Sequence, residues 1–342
     1  MSEAFGLRLD GVLEDLQSQA VALVFGRGSQ FSLASLFSAL SIAVVFLLIR
    51  RGRRRGDLKL PVMLRALFPR DLFRSASCRA DLYFLALNTF VFPAALAWGI
   101  VSSQLVGSWA NSALAGVLGA RPPTAWAPVA VQSVATVCLF LAYELAYWCD
   151  HALSHRVPFL WEFHKVHHTA ERLSPLTNAR VHPVDSLVFA NFVAVYTGLT
   201  TGFLAFLFGQ GAKGFTIGGA NVIGIAFLFT IVHLQHSHFW IAFTGPLGRV
   251  FLSPAHHQIH HSDDPVHFNK NFGSCLSVWD WMFGTLHMPA KERETLVFGA
   301  GPRLRSNHSV PWALLSPFAR GLRELRARAL PHLQRAGASG QS

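Results

Sequence analysis

The sequence predicts an all-α integral membrane protein with about four to five transmembrane helices. Of its 342 residues 51% are hydrophobic and only 14% are charged, a balance too apolar for an ordinary soluble domain. The run "FSLASLFSALSIAVVFLLI" (31–49) holds 19 residues without a charge, enough to cross the hydrocarbon core as a helix. Basic residues crowd the end of that run, which fixes a side for everything that follows.

Residues 1–30 read as an amphipathic segment lying at the outer surface; Glu3, Asp10, Glu14 and Asp15 are foreign to a cleaved signal peptide. Residues 31–135 carry the first transmembrane helices and a basic loop. "RRGRRRG" (50–56) opens that loop, and Lys59, Arg65, Arg70, Arg74 and Arg79 continue it. The net charge of +11 thus marks a cytoplasmic flank rather than a nucleic-acid surface. Further apolar runs lie near 82–105, 125–148, 186–208 and 214–235. Counting spans from the basic loop puts 149–184 and 236–342 together on the cytoplasmic face, with a hairpin turning at "GQGAKG" between them. The outer loops carry only Arg121 and Lys213 as cations, consistent with that parity. Residues 291–342 form a basic tail, in which 318–335 reads as a helix with a leucine face. It suits either an anionic lipid surface or an acidic electron carrier. Cys78, Cys138, Cys149 and Cys275 are scattered without a Cys-x-x-Cys pair and read as small buried hydrophobes.

Histidine is the unusual ingredient. Fourteen of the 17 histidines lie between 151 and 267. "CDHALSH" sets His151 and His155 one helical turn apart, on one face. "FHKVHH" repeats the device with His164, His167 and His168, and "HHQIHH" with His257, His260 and His261. Neutral imidazole is an effective ligand for iron, copper, nickel or zinc. Eight such ligands exceed what one zinc ion takes, so two metal ions are the economical reading. The absence of clustered thiolates excludes an iron–sulfur cluster.

The order His-x-x-x-His, His-x-x-His-His, His-x-x-His-His resembles the fatty acid hydroxylase/sterol desaturase superfamily of integral-membrane di-iron enzymes. The likeness extends over about 140–288: "ELAYWCDHALSH", "PFLWEFHKVHHT", "NARVHPVD" and "NFGSCLSVWDWMFGT" each match a family segment. It implies a hydroxylase-like domain over 136–290, with a cytoplasmic, histidine-rich helical cap holding a dinuclear site. His151, His155, His164, His167, His168, His257, His260 and His261 are its implied ligands. His236 stands where the family has a further histidine, and His233 and His238 compete with it for that place. His182, in the Arg-x-His-Pro match, is either a ligand or a supporting group, and His256 is a supporting or structural neighbour. Ala152 replaces an Arg found in some relatives. Glu144 stands in for their usual Asp, where a carboxylate can accept a ligand N–H. Arg180 and Asp185 tie the loop together. His267, His287, His308 and His332 read as ordinary interface or surface residues.

The resemblance implies two non-haem iron ions, dioxygen as co-substrate and hydroxylation or desaturation of a lipid C–H bond. Fatty-acyl groups, sterols or hopanoids, carotenoids and polar lipids are the candidate substrates. "FW" (239–240) and "WDWMF" (279–283) either line a lipid cleft or sit at the interface as aromatics do. With no dinucleotide fingerprint, flavin motif or Cys-x-x-Cys-His, electrons come from a separate reductase, ferredoxin or cytochrome. The competing classes are a metal-ion transporter, which needs ionisable ligands inside the spans, and a zinc-dependent membrane hydrolase, whose His-Glu-x-x-His is absent.

Overall fold

The computed structural model describes residues 2–52, 59–122, 124–209, 211–301 and 305–329. Most of the basic run at 50–56, the end of the tail helix and His332 lie outside these residues. Among the described residues, three helices are long and apolar enough to cross a membrane: Leu33–Arg50, Pro128–Arg156 and Pro183–Phe208. A fourth crossing is counted when Ala76–Phe90 and Phe92–Leu118, bent by 53°, are taken as one broken span. The bend falls at Pro93, in the first turn of Phe92–Leu96, where proline has no N–H to continue the ladder.

The run at 214–235 differs from expectation. It opens as a two-residue hairpin, Thr216–Ile217 against Ala220–Asn221. The turn uses Gly218 and Gly219 at φ +56° and +81°, angles that glycine adopts without steric cost. Only the shorter apolar helix Val222–Gln235 remains, with a π-helical segment at Leu228–Val232. Irregular backbone, which cannot stand against lipid unpaired, has replaced half a span.

Helix packing in the apolar part relies on small residues. Gly198 and Gly202, four apart on the Pro183–Phe208 helix, meet Gly107 and Ala110 of Ser103–Leu118. A Cβ at Gly202 would lie 2.7 Å from Ala110 Cβ, and one at Gly198 would lie 2.7 Å from Ser103 O. Lipid tails are as apolar as leucine, so close backbone approach supplies the association that water would otherwise drive.

The Pro128–Arg156 helix has 29 residues. At 1.5 Å per residue it runs about 43 Å against a hydrocarbon core of about 30 Å. Its last turns, with His151 and His155, therefore have the length to project beyond the lipid. The chain then folds into a cap. The helix Pro158–His168 packs beneath Val310–Ala329, and the short helix Pro254–His260 starts from a Ser253 cap. Two buried carboxylates organise the cap. Asp81 holds the Arg180 guanidinium at 2.6 Å, with both side chains at 1% exposure or less; Thr177 Oγ1 donates to the same Asp81. Asp280 accepts from the N–H groups of Phe272 and Gly273, from Thr285 Oγ1 and from Trp148 Nε1, fixing the loop after the last histidine box.

Gly202→Val is expected to lower folded stability by about 1–3 kcal/mol through overpacking, read as an earlier thermal midpoint in detergent. Gly116→Val, where nothing lies within 4 Å of the added carbon, is expected to leave the midpoint in place.

Candidate metal centre

Nine buried or half-buried histidines form two groups, each with its ligand atoms within 4.8 Å of one another. The first holds His151, His155, His164, His168 and His260; the second holds His167, His236, His257 and His261. The arrangement explains the repeated His-x-x-His-His spacing. In each box the first and last histidines, one turn apart, enter one group, and the histidine between them enters the other. Thus His164 and His168 join the first group while His167 joins the second. The last box reverses the sense, sending His257 and His261 to the second and His260 to the first. The groups share a wall, where the His168 and His261 rings stack at 4.5 Å.

The outer nitrogens set the tautomers. A carbonyl oxygen can only accept, so Nδ1–H of His151 donates to Phe272 O (2.8 Å), that of His260 to Lys270 O (2.8 Å) and that of His167 to Arg180 O (3.2 Å). His164 Nδ1 donates to the Asp185 carboxylate at 3.0 Å. Each of these rings is left with an Nε2 lone pair turned inward. Orientation of ligand imidazoles by outer acceptors is what metal sites generally require.

What those lone pairs face is the decisive observation. Nε2 of His151, His164 and His260 is buried and has no hydrogen-bond partner in the protein. In the second group, Nε2 of His236 lies 2.9 Å from Nε2 of both His257 and His261 and 3.2 Å from that of His167. His257 and His261 are 3.1 Å apart. A neutral imidazole has one N–H and one lone pair, so four mutually facing nitrogens cannot all be satisfied by one another. Metal–nitrogen bonds of about 2.0–2.1 Å place tetrahedral ligand atoms about 3.3 Å apart, close to these separations. The donor set therefore fits a cation in each group.

Protonation agrees. Burial holds the imidazoles of His236 and His260 down to about 3. Burial first, then neighbouring imidazoles, depresses His167, His168, His257 and His261 well below the ordinary histidine range. These rings are neutral at physiological pH, the form that binds metal.

Several expected residues stand elsewhere. His182 caps the Pro183–Phe208 helix: its Nδ1 accepts from Val184 N and its Nε2 donates to Leu314 O, so both nitrogens are used away from the two groups. His233 bonds to Ser35 Oγ, His238 donates to Ala66 O, and His256 forms a capping box with Ser253. Of the three competitors only His236 joins a group. Glu144 does not reach an imidazole; its carboxylate accepts from the N–H groups of Cys275 and Leu276, both at 2.9 Å. The carboxylate contact to a ligand imidazole expected of Glu144 is made instead by Asp185, to His164 Nδ1. His267 is buried and His308 half-buried rather than at the surface: His267 packs on His287, and His308 Nε2 lies 3.3 Å from Glu171. Of the aromatic positions, Phe239 and Trp240 are buried, while Trp281, Met282 and Phe283 are exposed.

A cavity of about 410 Å³ opens directly on the centre. His155 and His168 of the first group and His261 of the second line it, together with Trp161, Lys165 and Phe268. Space of this size admits part of a small organic group next to the inward-facing nitrogens.

Residues 136–285 match the fatty acid hydroxylase family. The chain is 31% identical over 175 residues to an ornithine lipid hydroxylase of Rhizobium tropici, covering 51% of this chain and 46% of that protein. It is 26% identical over 168 residues to the alkylglycerol monooxygenase of Danio rerio, covering 47% and 31%. The human alkylglycerol monooxygenase gives 26% over 168 residues, covering 47% and 32%. The chain thus spans less than half the length of these relatives. No solved structure gives a significant match.

Elemental analysis of the purified protein is expected to give two metal equivalents per chain, and His257→Ala about one. Asp185→Asn is expected to weaken retention of the other equivalent about 10–100-fold, measured by competition with a chelator.

Proposed function

From the match of residues 136–285 to the fatty acid hydroxylase family, we propose that this chain belongs to that family and is a membrane-bound, iron-dependent monooxygenase acting on a lipid. In the proposed reaction one oxygen atom of dioxygen enters a lipid C–H bond. Two electrons and two protons reduce the other atom to water. The observation that carries the reading is the pair of facing histidine groups opening on one cavity. Relatives named as a lipid hydroxylase and as alkylglycerol monooxygenases support it.

His151, His155, His164, His168 and His260 would hold one iron ion, and His167, His236, His257 and His261 the other. When bound, the pair supplies dioxygen activation and the oxidising power to attack an unactivated C–H bond, which no side chain can do. The residues of this chain supply position and environment. Phe272 O, Lys270 O, Arg180 O and Asp185 hold four rings in the tautomer with Nε2 inward. The buried Asp81–Arg180 pair fixes the loop that presents the Arg180 carbonyl to His167. Asp280 fixes the loop that presents the Phe272 carbonyl to His151. Trp161 and Phe268 narrow the cavity and limit water beside the substrate carbon.

The lipid substrate reaches this cap from the bilayer in which the apolar helices lie. The cap faces the cytoplasm, the side assigned by the basic residues after the first span, and a separate reductase, ferredoxin or cytochrome delivers the electrons there. In a bacterium the membrane is the inner one.

Lipid mass spectrometry of cells carrying the chain, against cells carrying His260→Ala, is the test. The expected result is one lipid class that gains one oxygen atom and loses that gain in the variant, with membrane insertion unchanged. Loss of two hydrogens instead would make the enzyme a desaturase. An unchanged lipidome with altered cellular metal would replace the reading with metal transport.

A further inference from the structure

The helix Val310–Ala329 has two faces with different demands. One is satisfied within the protein. Ala313 is buried with Phe84 and Val166, and Leu314 O accepts from His182 Nε2. Arg320 donates to Glu162, and Gly321 lies against the Phe159 ring, where a Cβ would come within 2.9 Å. This face clamps the Pro158–His168 helix, the one carrying His164, His167 and His168.

The other face is open except at Phe318, whose ring packs edge-to-face with Phe163 and His182, at centroid distances of 5.2 Å and 5.6 Å. Leu315, Phe318, Leu322 and Leu325 fall at helical spacing i, i+3, i+7 and i+10 and are 69%, 52%, 47% and 46% exposed. Trp312, at 51%, extends the apolar surface toward the start of the helix. Arg323, Arg326 and Arg328 are exposed around this ridge, and none of them forms an ion pair among the described residues. Glu324 is the one acidic residue of the helix. A continuous apolar ridge in water is costly, and long cationic side chains beside such a ridge reach outward to charge at an interface.

We propose that this face lies on the anionic phospholipid surface of the membrane that the apolar helices cross, seated in the interface plane rather than inserted across it. Two features choose this occupant over an acidic protein. The arginines flank an apolar ridge instead of forming the centre of the surface, and the chain already stands in a bilayer by virtue of its long apolar helices. Burial of the ridge at the headgroup boundary and attraction of the arginines to anionic lipid then act together. Because the opposite face grips the Pro158–His168 helix, the helix links the lipid surface mechanically to the second histidine box.

The full chain in nanodiscs tests this without reference to metal or turnover, so its failure would leave the proposed monooxygenase activity untouched. An environment-sensitive fluorophore is placed at Leu322→Cys on the ridge and, separately, at Glu324→Cys on the opposite side, with the labelled native chain as blank. In nanodiscs containing phosphatidylglycerol, the Leu322→Cys label is expected to be shielded from aqueous iodide and quenched by brominated acyl chains, while the Glu324→Cys label is not. In R323Q/R326Q, each neutralised arginine is expected to lower the embedded-to-exposed ratio of the ridge label about fivefold. Equal iodide access at both sites overturns the proposal. Shielding that appears only when an acidic electron carrier is added overturns it in favour of a protein partner. Equal shielding in purely phosphatidylcholine nanodiscs overturns the preference for anionic lipid.

Discussion

A neutral imidazole buried away from water must find something for its lone pair, and nine of them converge here. This constraint organises the cap. Carbonyls of Phe272, Lys270 and Arg180 and the carboxylate of Asp185 take the outer N–H groups of His151, His260, His167 and His164, which turns their Nε2 lone pairs inward; in the second group Nε2 of His236 and His257 approach to 2.9 Å. Without a cation the arrangement is electrostatically unfavourable; with one in each group it is a ligand set. The buried ion pair of Asp81 with Arg180 and the four bonds accepted by Asp280 are best understood as supports for those carbonyls. They act on the site through loop position and not by touching it.

Much of this was legible in the residues. The uncharged run at 31–49 becomes a helix of span length, and the three histidine boxes fall on helices or helix ends, as their spacing of three and four requires. The spacing alone did not show the division of labour. A His-x-x-His-His box on one face suggests three ligands for one ion, yet adjacent histidines point about 100° apart on a helix, so the pair His167–His168 is well placed to serve two groups. His182, expected as a ligand or a supporting group, precedes Pro183 at a helix start, the position of an N-cap, and its ring accepts from Val184 N accordingly. Glu144 stands where the resemblance places an Asp that accepts a ligand N–H. In the fold it meets the N–H groups of Cys275 and Leu276, more than 100 residues away in sequence. Such a long-range partner cannot be read from spacing.

The apolar part shows the same limits. The run at 214–235 has the composition of a span, but Gly218 and Gly219 permit a tight turn inside it, and the helix that follows is short. The Gly198 and Gly202 pair, by contrast, carries a recognisable small-residue spacing whose partner surface on Ser103–Leu118 becomes evident only in three dimensions. Together these helices set a platform, and the overlong Pro128–Arg156 helix carries the first two histidines from it to the cap.

The most direct test of the account is anomalous diffraction at the iron absorption edge from protein purified without oxygen. Two peaks are predicted, one enclosed by His151, His155, His164, His168 and His260, the other by His167, His236, His257 and His261. A single peak shared by both sets, or rings splayed apart around no metal at all, would contradict it.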